Sequence, residues 1–398
     1  TGPVLERASI VIEDGVIREV AERDVGAPTH DLAGKTVIPG LIDGHAHILF
    51  SDCPSGVSPV LPRVAIPGKD PDEQEVYVSL LEAPARARAY LAAGITTVRD
   101  LGGATDPVIA VREAIAARAI PGPRMLVAGR IVTITGGIAG RGPSVLFADG
   151  ADGLRKAARA QMRAGVDLVK LYASRGILGP LLPGEVPGSP TLSEDEMRAA
   201  VEEAHNAGKR VAAHAHGAVA VKMALRAGVD SIEHGTLMDE DSARMMADRG
   251  VFYLPTLESL ENVIRLGTGA GFPAYYFENA KNVVERHRRA FALARAAGLR
   301  IVAGSDSGAE GAPPHGQLAM ELEALARLGM SPKEALASAT VQAAELLGRP
   351  ELGAIERGKV ADLVVLDRDP IEDISAVRDV HLVVKDGVLY RPEQLRAL

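Results

Sequence analysis

Tryptophan is absent from this 398-residue chain, aromatic residues make up 3% of it, and it has one cysteine. A core with so few rings must be built from Ala, Val, Leu and Ile. A lone thiol, Cys53, excludes an internal disulfide and suits a reducing compartment. It has no partner thiol and no nucleophile context. Long hydrophobic runs are also missing: the longest stretch without a charged residue runs twelve residues from Leu266 to Phe277, too short to cross a membrane. Positive charge is in deficit, with Lys+Arg 44 against Asp+Glu 52 and a net −8. Phosphate neutralisation needs a basic face, so nucleic acid is not expected as a partner. No basic-then-apolar signal segment opens the chain. What is present is ordinary for a folded protein, 47% hydrophobic and 24% charged. The expectation is a soluble, cytoplasmic protein, large enough for an enzyme. Its length allows two or three domains, or one barrel plus a small domain.

One module recurs: a helical run ends in a small or basic residue plus Gly, and a β-branched strand follows. It appears at Ala93-Gly94, Ala164-Gly165, Ala207-Gly208, Ala227-Gly228, Arg249-Gly250 and Ala297-Gly298. Each Gly reads as the left-handed residue that closes a helix, and each strand is apolar on both faces like a buried parallel strand. Two further strands, Thr36–His45 and Arg124–Gly129, bring the series to eight, centred near positions 42, 97, 126, 168, 212, 232, 253 and 303. Eight strands alternating with eight helices predict a (β/α)8 TIM barrel; a doubly wound open sheet is the alternative. Both ends differ from the middle. Glu13-Asp14-Gly15 and Asp386-Gly387 sit between apolar runs as tight hairpin turns. A small composite β-sandwich is therefore expected from residues 1–39 and 354–398, with the barrel occupying 40–353. Two Gly/Pro-rich loops, Gly136–Gly150 and Arg175–Pro190, follow strand C-terminal ends, where barrel active sites lie.

The ten His are unevenly spread. His45 and His47 end the first strand at i, i+2 and so face one way. Lys170, His214, His234 and Asp306 end the fourth, fifth, sixth and eighth strands. Neutral imidazole and carboxylate are ligands for zinc and similar divalent ions. Alone, His-X-His is weak, a buried Asp after Gly-Ser is usually a cap, and a strand-end Lys is usually solvated. Convergence of five strand ends on one mouth is what makes a metal centre. His205 reads as surface, Arg99 and Asp100 as structural. His30, His287 and His381 lack supporting partners, and His315 is placed near the mouth as a supporting or lid contact.

These pieces resemble the metal-dependent amidohydrolase superfamily. The resemblance rests on Val37-Ile38-Pro39-Gly40-Leu41-Ile42-Asp43-Gly44-His45-Ala46-His47, Val169-Lys170, His214-Ala215-His216-Gly217, Ile232-Glu233-His234-Gly235, Ala303-Gly304-Ser305-Asp306-Ser307 and Gly358-Lys359-Val360-Ala361-Asp362-Leu363. It spans essentially the whole chain. It points to the branch with imidazolonepropionase-like, Xaa-Pro dipeptidase (prolidase)-like and ochratoxinase-like proteins, and it implies a first sandwich strand preceding Thr1-Gly2-Pro3. It further implies two divalent ions, zinc by expectation. His45, His47 and Asp306 would hold the more buried ion, and His214 and His234 the second. Lys170, carboxylated by carbon dioxide, would bridge them. A metal-bridging hydroxide would attack, with Asp306 as proton carrier. His216 would contact substrate or oxyanion, and Tyr172 would contact substrate. One departure stands out: where dipeptidase-like relatives read Thr-Gly-Gly-His, with the His binding the substrate carboxylate, this chain has Thr135-Gly136-Gly137-Ile138. The expected activity is hydrolysis of an amide-type C–N bond in a small molecule such as an N-acyl amino acid or dipeptide, by a homo-oligomer. The alternative is a neutral amide, carbamate, urea or cyclic amide. Imidazolonepropionase itself is disfavoured, because its branch lacks the Lys found at 170. A barrel that binds without catalysis is the reading from another class, and missing ligands would be its mark.

Overall fold

One extended run of chain belongs to two sheets. The computed structural model describes residues 4–26, 29–51, 68–138, 142–179, 186–268, 271 and 273–397. Strands β1 (Ser9–Glu13) and β2 (Val16–Ala21) form a hairpin, and β3 (Thr36–Pro39) leads across Gly40 into β4 (Leu41–Ala46). A Cβ on Gly40 would lie 2.2 Å from Thr96 Oγ1, so only glycine fits where the chain crosses between sheets. The barrel strands continue as β5 (Ile95–Asp100), β6 (Arg124–Val127), β7 (Ile131–Thr133), β8 (Val145–Phe147), β9 (Leu168–Tyr172), β10 (Arg210–Gly217), β11 (Ser231–Leu237) and β12 (Phe252–Leu254). Strands β13 (Leu363–Leu366), β14 (Val380–Lys385) and β15 (Val388–Tyr390) complete the set.

The antiparallel sheet has the order β15-β14-β13-β3, so its strands come from both ends of the chain. Pro39 pairs with Leu363 at the start of that ladder. The β1–β2 hairpin packs on it through Ile10, Ile12, Ile17 and Val20 against Leu363 and Val384. Both Asp-Gly turns adopt positive φ at both residues, as a two-residue hairpin turn requires.

The parallel staves lie in two runs, β4-β5-β6 and β12-β11-β10-β9-β7-β8. The third stave is broken. β6 pairs with β5 and β7 with β9, and Gly129 between them has φ +67°. The eighth stave is not a regular strand. Segment 301–307 closes the barrel through bridges Tyr253↔Ile301 and Ala46↔Ser307 and through Asp306 N–H donating to His45 O at 2.8 Å. Left-handed backbone at Asp306, φ +57°, prevents it from running on as a ladder.

Helices α1 (Pro71–Ala92), α2 (Thr105–Ala116), α3 (Gly150–Ala164), α4 (Glu194–Asn206), α5 (Ala218–Ala227) and α6 (Glu240–Arg249) cover the staves in alternation. Then come α7 (Leu257–Leu266), α8 (Ala274–Ala296), α9 (Leu318–Arg327), α10 (Pro332–Ser338), α11 (Val341–Leu347) and α12 (Pro392–Ala397). Helices α7, α10, α11 and α12 are additions to the eight expected from the sequence. The fold is thus α/β, a barrel with a separate antiparallel sheet. Among the described residues, no helix is long and apolar enough to cross a membrane. The core is the small-residue aliphatic one expected, with Tyr90, Tyr253 and Phe291 as its largest fully buried side chains.

Candidate metal centre

The C-terminal ends of β4, β9, β10 and β11 and the closing segment bring His45, His47, Lys170, His214, His216, His234 and Asp306 into one buried group. Register explains the neighbours. Tyr172 lies opposite His214 across the β9–β10 ladder, and their rings stack with centroids 3.8 Å apart. The period of two in β10 puts His214 and His216 on one face, 4.4 Å between centroids. The His234 ring lies 4.7 Å from His214 and 5.0 Å from His45. Potential ligand atoms of His45, His234 and Asp306 lie within 4.8 Å of one another, and so do those of His214, His216 and His234. His234 belongs to both groups.

Hydrogen bonds around the rings fix where their lone pairs point. His45 Nδ1–H donates to Glu233 Oε2 at 2.8 Å, and His47 Nδ1–H donates to the Gly102 carbonyl at 3.2 Å. Neither partner can donate back, so both Nε2 atoms carry lone pairs. They face Asp306 Oδ1 at 3.3 and 3.4 Å. Three acceptors thus converge with no proton between them, an arrangement that favours a cation. On the other side, His214 Nε2 is buried without a hydrogen-bond partner among the described residues. A buried orphan imidazole nitrogen is unfavourable unless something binds it. The donor set therefore fits divalent ions of the zinc type.

Burial keeps the imidazoles neutral, as ligands must be. It pushes His47 down to about 4 and His216 down to about 3. Burial also lowers the Lys170 amine to about 8. Glu233 stays ionised for the opposite reason. Burial alone would raise it, but Arg99 and the His45 N–H bond outweigh that. Arg99 holds Glu233 Oε1 at 2.8 Å, Ser231 Oγ at 3.1 Å and the Gly44 carbonyl at 2.6 Å.

Several of these supports are not visible in the sequence pattern. Strict strand alternation would turn Glu233 away from the face that carries His234. Positive φ at His234, +72°, breaks the alternation and lets both side chains reach the centre. His287, which has no supporting partner in sequence, is buried on α8 facing the carbonyls of Pro255 and His234. His315 Nε2–H donates to the His47 carbonyl at 3.1 Å. His205 and His381 are exposed and lie beside Asp230 and Asp367. Ile138 is half-buried at the end of the 133–138 turn, and Arg175 Nη1 donates to the Gly136 carbonyl of that turn at 2.6 Å. Cys53 and Thr1–Pro3 lie outside the described residues.

The profile of the amidohydrolase family matches residues 36–389. Ochratoxinase of Aspergillus niger is 29% identical over 98% of this chain and 84% of that protein. A crystal structure of a Xaa-Pro dipeptidase with bound methionine in the active site superposes with a TM-score of 0.84 at 31% identity, covering 96% of this chain and 95% of that one. A prolidase complexed with N-methylphosphonate-L-proline gives 0.82 at 31% identity, with 97% and 95% covered.

Proposed function

The chain belongs to the amidohydrolase family and is a metal-dependent hydrolase of carbon–nitrogen bonds, and from that premise we propose that it uses two ions and a carboxylated lysine to cleave an N-acyl amino acid or dipeptide. The observation that carries the two-ion reading is the acceptor-only convergence of His45, His47 and Asp306 beside a second set, His214 and His234, that contains an orphan nitrogen. His45, His47 and Asp306 would hold one ion and His214 and His234 the other. Zinc is the ion best suited to this donor set. Lys170 is buried, its amine is lowered, and no hydrogen bond or ion pair is made by its ammonium among the described residues. A neutral amine adds carbon dioxide, forming an N–C bond and releasing one proton, and the resulting carbamate is an anion fit to bridge two cations.

Bound ions would polarise the scissile carbonyl and acidify water. The protein's own groups do the rest. Asp306 Oδ1 faces His45 and His47, which leaves Oδ2 to accept a proton from the attacking water. As the C–N bond breaks, the same carboxyl returns that proton to the leaving amine. The net reaction is amide plus water to acid plus amine. His216, with Nδ1 held by the Thr236 hydroxyl at 2.9 Å, presents Nε2 to the carbonyl oxygen. Tyr172, stacked on His214, forms the adjacent substrate wall.

The acid-bearing substrate is supported by relatives named for dipeptides and by Arg175, whose guanidinium is anchored on the turn that carries Ile138. A second reading rests on Ile138 itself: an apolar side chain there suits a neutral amide, carbamate, urea or cyclic amide. Comparing kcat/KM for one N-acyl amino acid and its methyl ester decides between them. A strong preference for the acid is expected. Preference for the ester would overturn that reading in favour of the neutral one.

A further inference from the structure

Thr256 occupies the position that should cap α7, yet its side chain makes no capping bond. Its hydroxyl is turned elsewhere. The single hydroxyl proton donates to the Pro255 carbonyl at 2.7 Å. Oγ1 also lies 2.7 Å from His234 Nδ1. With its one proton committed, the oxygen can only accept there, so the proton between them belongs to His234 Nδ1. The ring is thereby left with an unprotonated Nε2.

The arrangement is held against local preference. Thr256 is β-branched and left-handed at φ +49°, and His234 is left-handed at φ +72°. The cap that Thr256 does not provide comes from another helix. The two oxygens of Glu321, on α9 and fully buried, accept the N–H groups of Leu257 at 3.0 Å and Glu258 at 2.9 Å. Those are the first two amides of α7, orphaned in any helix without a cap. From the far side, the Tyr253 hydroxyl donates to the His234 carbonyl at 3.0 Å. Strained backbone persists only where surroundings over-determine it, and here the surroundings are Glu321, Thr256 and Tyr253.

We propose that Thr256 and Glu321 are positioning residues that place the proton of His234 on Nδ1 and aim its Nε2 lone pair at the second ion site. The inference rests on the two-ion reading for its purpose, but the position of the proton can be measured without any metal.

The test is nitrogen-15 NMR of histidine-labelled protein, freed of metal with a chelator, followed by zinc titration against a competing chelator. Wild type should show His234 protonated at Nδ1. Thr256→Val should shift His234 toward the Nε2–H form and weaken binding of one of two zinc ions by about 10–100-fold. Thr256→Ser, which keeps the hydroxyl, should restore both signals. Glu321→Gln, with one acceptor for two amides, should move both in the same direction by less. An Nε2-protonated His234 in the wild type overturns the proposal, and that measurement stands even if Thr256→Val fails to fold. Unchanged tautomer and zinc affinity in a folded Thr256→Val also overturns it. If the wild type binds no zinc, the two-ion reading falls while the tautomer still decides this one.

Discussion

The two sides of the centre are built differently. On one side His45 and His47 are backed by charge and by main chain: a buried Glu233–Arg99 pair behind His45 and the Gly102 carbonyl behind His47. On the other side His234 and His216 are backed by the neutral hydroxyls of Thr256 and Thr236, and His214 by the ring of Tyr172. A carboxylate behind an imidazole orients it and raises its basicity more than a hydroxyl does. On the two-ion proposal the two sites would therefore differ in strength before any ion binds, with the His45 side the stronger.

The largest effect should come from the residue that would both hold the first ion and carry the proton. Asp306→Asn should lower turnover by at least about a hundredfold, the scale for losing a positioned acid–base group. Its metal content should fall less than that of His45→Ala. Equal metal loss in both would make Asp306 a ligand only. Lys170→Ala tests the link between the sides. Elemental analysis should find the His214 side emptied and most activity gone, with partial rescue by short carboxylic acids. Rescue failing, with both ions still bound, would break the bridge.

A smaller effect sharpens the inequality itself. Stepwise chelation of the wild type should release one ion well before the other. Glu233→Gln should narrow that gap by weakening the tighter ion about 10–100-fold. A gap that stays the same would mean that Glu233 does not set it.

The pH dependence follows from Lys170. Its amine lies at about 8 in the folded protein against 10.5 when unperturbed. The neutral form that reacts with carbon dioxide is then roughly 3% of the whole at about pH 6.5 and roughly three-quarters at about pH 8.5. Reconstitution of metal-free protein with zinc and bicarbonate should accelerate over that interval, by about twentyfold if amine neutrality limits it. The linked stability runs the same way. The penalty of the buried ammonium is complete below pH 8 and is relieved as pH rises toward 10.5. Flat reconstitution rates would argue against the carbamate. The smallest effect is expected at Ile138. If the wild type prefers the ester, Ile138→His should raise kcat/KM for an N-acyl amino acid relative to its ester by about tenfold, equivalent to 1.4 kcal/mol. No change would mean that Arg175 already serves the carboxylate.

What the sequence made legible depends on period. His45 with His47, and His214 with His216, are two apart on strands, and alternation alone puts each pair on one face. The Asp14-Gly15 and Asp386-Gly387 turns are equally plain, because only a few residues tolerate positive φ at both positions. Legibility ends where the backbone leaves the regular period. Glu233 was hidden by the left-handed turn at His234, and the one at Asp306 is why segment 301–307, legible as the eighth stave, closes the barrel without becoming a regular strand. Helix α7 was hidden because its cap, Glu321, comes from a distant helix and no local signal marks its start. His287 carried no sequence signal, since its role depends on how α8 lies against β11.

The shared run β3–β4 also has a meaning in time. Its antiparallel partner, β13, follows it by more than three hundred residues. At synthesis rates of about 5–20 residues per second, that delay is on the order of tens of seconds. Segment 301–307, the other neighbour of β4, emerges almost as late. Through that interval β3 lacks β13 and β4 has β5 on one side only, so an apolar edge ahead of His45 stays open on the ribosome, and such edges aggregate readily. Chaperone demand during synthesis should therefore concentrate on the first stave, long after its own residues have left the tunnel.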